Sequence, residues 1–137
     1  DQNPNVHPDF RTVQGVLALD DCPAERGTFV GVAGSRGLFP MYASMAKNGG
    51  EYVEMDRRDP ATRPVEDRAQ KFPLRRGSLV SWDSRTTHAN SANVSDKTRY
   101  VAYIAYGVSR QDNPEALAWR VDGFMSGLGM NHRDGYM

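Results

Sequence analysis

The chain has 137 residues, a length that suits one domain with a single hydrophobic core. Its 17 basic and 17 acidic residues cancel, which argues against a nucleic-acid groove or an anionic membrane surface as the main partner. No apolar run approaches the ~20 residues of a membrane-spanning helix, and the lone Cys22 cannot form an internal disulfide, so we expect a cytoplasmic protein.

The first half of the chain contains three strand candidates separated by glycine, proline and aspartate. Residues 13–19 and 28–33 are rich in β-branched and apolar side chains, which is typical of strands. Residues 51–55 alternate polar and apolar, a pattern that predicts a half-buried edge strand. The polar, arginine- and proline-rich residues 56–67 predict a surface loop.

The second half contains further short strand candidates at residues 70–74, 78–82, 86–90 and 99–106. The last is the clearest, because aromatic and β-branched residues fill it. Six or seven short strands with frequent turns and no intervening helix predict an all-β domain, a sandwich or a jelly roll, over residues 1–137.

One helix is predicted near the end, over residues 113–128. Asn113 is a good N-cap and Pro114 suits the first helical position. An apolar stripe at helical spacing is expected to pack on the outside of the barrel; it consists of Leu117, Val121, Phe124, Met125 and Leu128.

His88 and Arg99 are the residues that most suggest chemistry. Arg99 opens the aromatic strand and, by alternation, shares a face with Tyr103. If that face points into the barrel, the planar guanidinium of Arg99 can donate two hydrogen bonds to the carboxylate of a ligand. The alternative is an internal ion pair with Asp83 or Asp20.

Segment 77–90, together with Arg99, resembles the C-terminal motif of the phytanoyl-CoA dioxygenase family. The segment reads Gly-Ser-Leu-Val-Ser-Trp-Asp-Ser-Arg-Thr-Thr-His-Ala-Asn. The resemblance implies that His88 is the distal iron ligand. It implies that Arg99, eleven residues later, binds the far carboxylate of 2-oxoglutarate, and that Asn90 contacts the same cosubstrate.

The upstream half resembles the family too, and residues 34–36, Gly-Ser-Arg, match its Gly-Ser-His. Matched in this way, Asp1 takes the place of the metal-binding aspartate of a His-x-Asp pair. The histidine of that pair would precede residue 1, so we expect an N-terminally truncated chain. An alternative pair, His7 and Asp9, would complete a triad with His88. Asp9, however, lies only four residues before the strand at 13–19, whereas the family's aspartate stands about a dozen ahead, as Asp1 does.

The resemblance implies a double-stranded β-helix (a cupin-like jelly roll), incomplete at its N-terminus and carrying one C-terminal helix. It implies an Fe(II)- and 2-oxoglutarate-dependent dioxygenase that couples oxidative decarboxylation to C–H hydroxylation of a small or lipid-like substrate. Two histidines and one carboxylate leave three iron positions open for cosubstrate and dioxygen.

Two further expectations and one alternative follow. Because one of the two histidine ligands of the iron would be missing, the activity of this chain should be impaired. Edge strands left exposed would be covered by self-association, which predicts a homodimer. The alternative function is a metal-free jelly-roll module that binds an acidic small molecule.

Overall fold

The computed structural model describes residues 2–46, 50, 52–56, 58–107 and 113–128. The described residues form a mostly β structure with two small antiparallel sheets and one longer helix near the C-terminus. The six strands are β1 (Thr12–Ala18), β2 (Phe29–Gly31), β3 (Gln70–Phe72), β4 (Leu79–Asp83), β5 (His88–Asn90) and β6 (Val101–Gly107). The helices are two 3-10 segments, Ala24–Arg26 and Ser35–Ser44, and the α-helices α1 (Arg63–Glu66) and α2 (Pro114–Met125).

Each sheet has three strands, with the order β4-β1-β6 in one and β3-β2-β5 in the other. In the first sheet β1 is central, and Val16 lies opposite both Val80 and Tyr103. In the second sheet β2 is central, and Gly31 lies opposite His88. The β-rich class and most strand positions agree with the sequence, whereas closure into a double-stranded β-helix stays a prediction. Self-association through the outer strands also stays a prediction.

A compact apolar core joins the two sheets. Val16 and Ala18 of β1 are buried together with Phe29 of β2. The Phe29 ring stacks on Trp82 of β4 with 4.3 Å between ring centroids. Burial of these side chains is the main favourable term for association of the sheets.

A second apolar cluster lies outside this core and was not predicted. It consists of Val32, Phe39, Tyr42 and Val65, all buried. Val65 belongs to α1, so the prediction of a plain surface loop over residues 56–67 is wrong for its second half. The edge strand predicted at 51–55 is also wrong, because residues 52–55 form no strand and contribute side chains to this cluster. Residue 51 lies outside the described part.

Helix α2 begins as predicted but packs differently. The Asn113 side chain accepts a hydrogen bond from the backbone N–H of Ala116 at 3.1 Å, which confirms the N-cap. The residues buried on α2 are Ala116 and Gly123. The predicted packing of the apolar stripe is wrong, because its members are exposed, Phe124 by 80%. In the part of the chain that the structure describes, no helix is long and apolar enough to cross a membrane.

Replacement of Phe29 by alanine should lower the free energy of unfolding by about 3 kcal/mol, since it leaves a cavity between the sheets. Phe29 is 5% exposed, whereas Leu79 on the outer face of β4 is 53% exposed. Leu79→Ala is therefore the matched control, with an expected loss below about 1 kcal/mol. Urea denaturation measures both, and equal losses would show that Phe29 is not part of the core.

Candidate functional site

The structure brings together Asn90 and Arg99, two of the residues that the sequence singles out. His88 and Asn90 occupy alternate positions of β5, so their side chains share one face. Arg99 precedes β6, and its Nη1 donates a hydrogen bond to Asn90 Oδ1 at 3.0 Å. We refer to the pair Asn90–Arg99 as the arginine corner.

The guanidinium of Arg99 is only partly satisfied. Its Nε and Nη2 are buried and have no hydrogen-bond partner among the described residues. Its Cζ lies 6.0 Å from the centroid of the Tyr103 ring, as the shared strand face predicts. A buried N–H group without an acceptor costs about 1–3 kcal/mol, and more when the group is charged.

The predicted alternative partners of Arg99 are engaged elsewhere. Asp83 forms an ion pair with Arg85 at 2.7 Å, and Asp20 forms one with Arg26 at 2.8 Å. The side-chain hydrogen bond from Arg85 holds the pKa of Asp83 below its usual value. The interpretation of Arg99 as one half of an internal ion pair with either aspartate is therefore wrong.

His88 is held in one orientation and one protonation state. Its Nδ1 lies 2.8 Å from the carbonyl oxygen of Thr86, which can only accept, so Nδ1 carries the proton. The lone pair of the neutral ring is then on Nε2. The ring lies against Trp82 and Phe29, with centroid distances of 4.8 and 6.1 Å. Burial lowers the pKa of His88 to about 4, so the ring is neutral at pH 7 and suited to bind a metal.

Asp1 lies outside the described residues, but its neighbour is well anchored. Gln2 is buried, and its Oε1 accepts a hydrogen bond from Ser84 Oγ at 2.7 Å. Ser84 belongs to the turn that links β4 to β5, and Gln2 lines the same cleft as His88. The chain next to residue 1 therefore lies beside the segment that leads into His88.

His7 and Asp9, the alternative ligand pair, are not grouped with His88 in the described part of the chain. Among residues 2–46, 50, 52–56, 58–107 and 113–128, no three His, Cys, Asp or Glu side chains are placed to hold one metal ion. The side chain of Gln2 donates to the backbone carbonyls of both His7 and Asp9, which gives this segment a structural role. The pair His7 and Asp9 stays an alternative that iron titration tests.

A cleft of about 600 Å³ opens on one side of His88. Neither Asn90 nor Arg99 lines it, so the arginine corner lies outside this cleft. His88 does line it, and lies on the strand face that it shares with Asn90. The lining residues are Gln2, Val30, Val32, Phe39, Tyr42, Tyr52, Val53, Glu54, Met55, Val65, Glu66, Ala69, Ser84, Arg85, Thr86, Thr87, His88 and Ala89.

The turn before His88 is fixed by residues to which the sequence analysis gave no functional role. Ser35 Oγ accepts a hydrogen bond from the Thr87 backbone N–H at 2.8 Å, and Thr87 Oγ1 lies 3.0 Å from the Tyr42 hydroxyl. The backbone N–H of Val32 donates to the Thr87 carbonyl at 3.1 Å. The sequence signal for this contact is the serine of the Gly-Ser-Arg match at residues 34–36.

Residues 2–101 match the family model described as phytanoyl-CoA dioxygenase (PhyH). The matched region includes β1 to β5 and contains His88, Asn90 and Arg99. Neither the curated proteins nor the solved structures that were compared with the chain gave a match.

The low pKa of His88 predicts an acid-sensitive fold. The ordinary pKa is 6.5 and the folded value is about 4, so the unfolded chain takes up this proton first as the pH falls. Stability from the neutral ring is therefore complete above pH 6.5 and declines as the pH falls from 6.5 towards 4, by up to about 3 kcal/mol.

The measurement is urea denaturation of metal-free protein at pH 7, 6 and 5, compared with His88→Gln. The variant lacks this titration but keeps the carboxylates, so its stability should decline less steeply with acid. If the free energy of unfolding fell equally with pH in the two proteins, the lowered pKa of His88 would be contradicted.

Proposed function

Because the chain belongs to the phytanoyl-CoA dioxygenase family, we propose that it is an Fe(II)- and 2-oxoglutarate-dependent dioxygenase. In this proposal dioxygen is the oxidant: one oxygen atom enters succinate as 2-oxoglutarate loses CO2, and the other hydroxylates a C–H bond of a small organic substrate. The family match supports the oxygenase class, and the chain's own residues support the way in which the cosubstrate and metal would be held.

The observation that carries the proposal is the open edge of Arg99. Nε and Nη2 form one edge of the guanidinium, the edge that can bind both oxygens of a carboxylate. Both atoms are buried and lack an acceptor within the described residues, while Nη1 is occupied by Asn90. The far carboxylate of 2-oxoglutarate supplies two acceptors of the required charge and geometry.

The proposed metal ligands are His88, Asp1 and a histidine two positions before Asp1. His88 fits this role because its ring is neutral and its Nδ1–H is bound to the Thr86 carbonyl. When bound, Fe(II) supplies the redox chemistry that couples cosubstrate decarboxylation to substrate hydroxylation. Phe29 and Trp82 pack against His88 and limit the access of water to that side of the ring.

A metal-free module that binds an acidic molecule would also use the Arg99 edge. It gives no role, however, to a neutral imidazole whose Nδ1–H is held by the Thr86 carbonyl and which shares a strand face with Asn90. The orientation of His88 therefore favours the oxygenase, and metal binding separates the two functions.

Arg99→Ala should raise the KM for 2-oxoglutarate by about tenfold to a hundredfold, because it removes charged hydrogen bonds to the cosubstrate. The measurement is succinate formation under saturating Fe(II), with the chain extended by its native residues upstream of Asp1. Arg75→Ala removes an exposed arginine and should leave KM unchanged. An unchanged KM in Arg99→Ala would remove the arginine corner from the proposal.

His88→Ala should lower the affinity for Fe(II) by at least about tenfold, since a ligand of the shared chelate is lost. Anaerobic titration of the extended chain with Fe(II) measures this directly. His7→Ala is the matched control and should bind iron as the wild type does. An equal loss of Fe(II) affinity in the two variants would favour His7 and Asp9 as the ligand pair. No loss of affinity in either variant would favour the metal-free binding module.

A further inference from the structure

A buried glutamine lies on the face of the first sheet that points towards the second sheet. Gln14 alternates with Val16 and Ala18 along β1, and those two residues belong to the core between the sheets. The Gln14 side chain therefore points the same way, and only 2% of the residue is exposed. Glutamine is mostly an exposed residue, because a buried amide is costly unless its donors and its acceptor are satisfied.

One half of the Gln14 amide is engaged and the other half is free. Trp82 Nε1 can only donate, and it donates to Gln14 Oε1 at 2.9 Å, so the orientation of the amide is fixed. The two protons of Nε2 have no acceptor among the described residues. The fully enclosed side-chain atoms without a partner in that part of the chain belong to Arg99, so Nε2 borders space that a water-sized group can reach. Two donors therefore remain for an acceptor in that space.

The Arg99 guanidinium and Gln14 lie at successive levels of the first sheet. Arg99 Cζ is 6.0 Å from the centroid of the Tyr103 ring. Tyr103 pairs with Val16 of β1, and Gln14 is two residues further along that strand. Two strand residues span about 7 Å, which is comparable to the length of a five-carbon dicarboxylate.

The second sheet has the same two levels. Asn90, which binds Arg99, and His88 are also two residues apart on one face of β5. Trp82 connects the far levels, because it donates to Gln14 and its ring centroid lies 4.8 Å from that of His88. A molecule with one end bound by Arg99 and the other end at His88 therefore has the Gln14 amide beside that second end.

We propose that Nε2 of Gln14 donates a hydrogen bond to an oxygen at the oxo-acid end of 2-oxoglutarate. The inference rests on the proposed function in taking 2-oxoglutarate to be the molecule that Arg99 binds. The keto and carboxylate oxygens of that end only accept hydrogen bonds, which matches a nitrogen that only donates. Gln14 thereby favours an acid that carries oxygen atoms at both ends over a monocarboxylate of similar length.

Calorimetric titration of the full chain without iron tests this with 2-oxoglutarate and with butanoate, which keeps one carboxylate and lacks the oxo-acid end. Gln14→Met has nearly the same length and lacks both amide groups. It should weaken 2-oxoglutarate by about tenfold, since a hydrogen bond to a charged group is lost, and butanoate by less than about twofold. Arg99→Lys should weaken both acids, because it removes the two-pronged contact. Gln70→Met, at an exposed residue of β3, is the matched control and should weaken neither.

The side-chain amide protons of Gln14 report on binding in the wild-type chain and do not depend on the folding of a variant. Their ¹H–¹⁵N resonances should shift saturably with 2-oxoglutarate and far less with butanoate. Equal weakening of the two acids in folded Gln14→Met would overturn the inference and leave the proposed function intact, as would amide resonances that do not respond while 2-oxoglutarate binds. A wild-type chain that does not bind 2-oxoglutarate would overturn the inference too, and the Fe(II) and succinate measurements then decide the proposed function separately.

Discussion

The two buried nitrogens of Arg99 without an acceptor are the constraint on which the interpretation of this site depends. A guanidinium in such a place destabilises the folded chain unless something binds it. The two carboxylates that the sequence suggests as its partners, Asp83 and Asp20, are paired with Arg85 and Arg26. Asn90 satisfies Nη1 and thereby sets the direction of the remaining edge. The fold thus orients one edge of the Arg99 guanidinium, which the proposed function assigns to the far carboxylate of 2-oxoglutarate.

The register of the second sheet decides what lies next to that site. Gly31 is opposite His88, and Phe29 is opposite Asn90. A Cβ at Gly31 would come within 2.8 Å of Phe29 Cε1, so only glycine leaves the Phe29 ring in its observed place. That ring packs against both Trp82 and His88. One side of the imidazole is thereby shielded by aromatic rings, while the residue also lines the cleft.

Much of the sheet and the arginine corner could be predicted from sequence because both depend on short-range patterns. The alternation in β6 placed Arg99 on the face of Tyr103, and the structure confirms it. The resemblance of residues 77–90 and Arg99 to the family motif implied a shared role for Asn90 and Arg99, and the structure shows these two side chains in contact. Asn113 likewise marked the start of α2 through a local hydrogen bond.

The parts of the fold that the sequence did not predict depend on contacts between distant segments. The buried side of Val65 is set by Val32 and Phe39, more than two dozen residues away, and no periodicity within residues 56–67 reveals it. Alternation at 51–55 looked like a strand, but its apolar side chains pack into that same cluster without a partner strand. The stripe on α2 had the spacing of a buried face, and tertiary placement left it exposed. Trp82 and Tyr42 gained their roles only from the packing of separate elements.

The Nε–H of Arg99 reports most directly on the central claim, because it is buried and lacks an acceptor in the described structure. Its ¹H–¹⁵N resonance can be assigned by comparison with Arg99→Lys and followed as 2-oxoglutarate is added without iron. Binding at the arginine corner predicts a saturable shift and slower exchange of this proton with water. A resonance that does not respond, while 2-oxoglutarate still binds to the protein, would show that the carboxylate is held elsewhere.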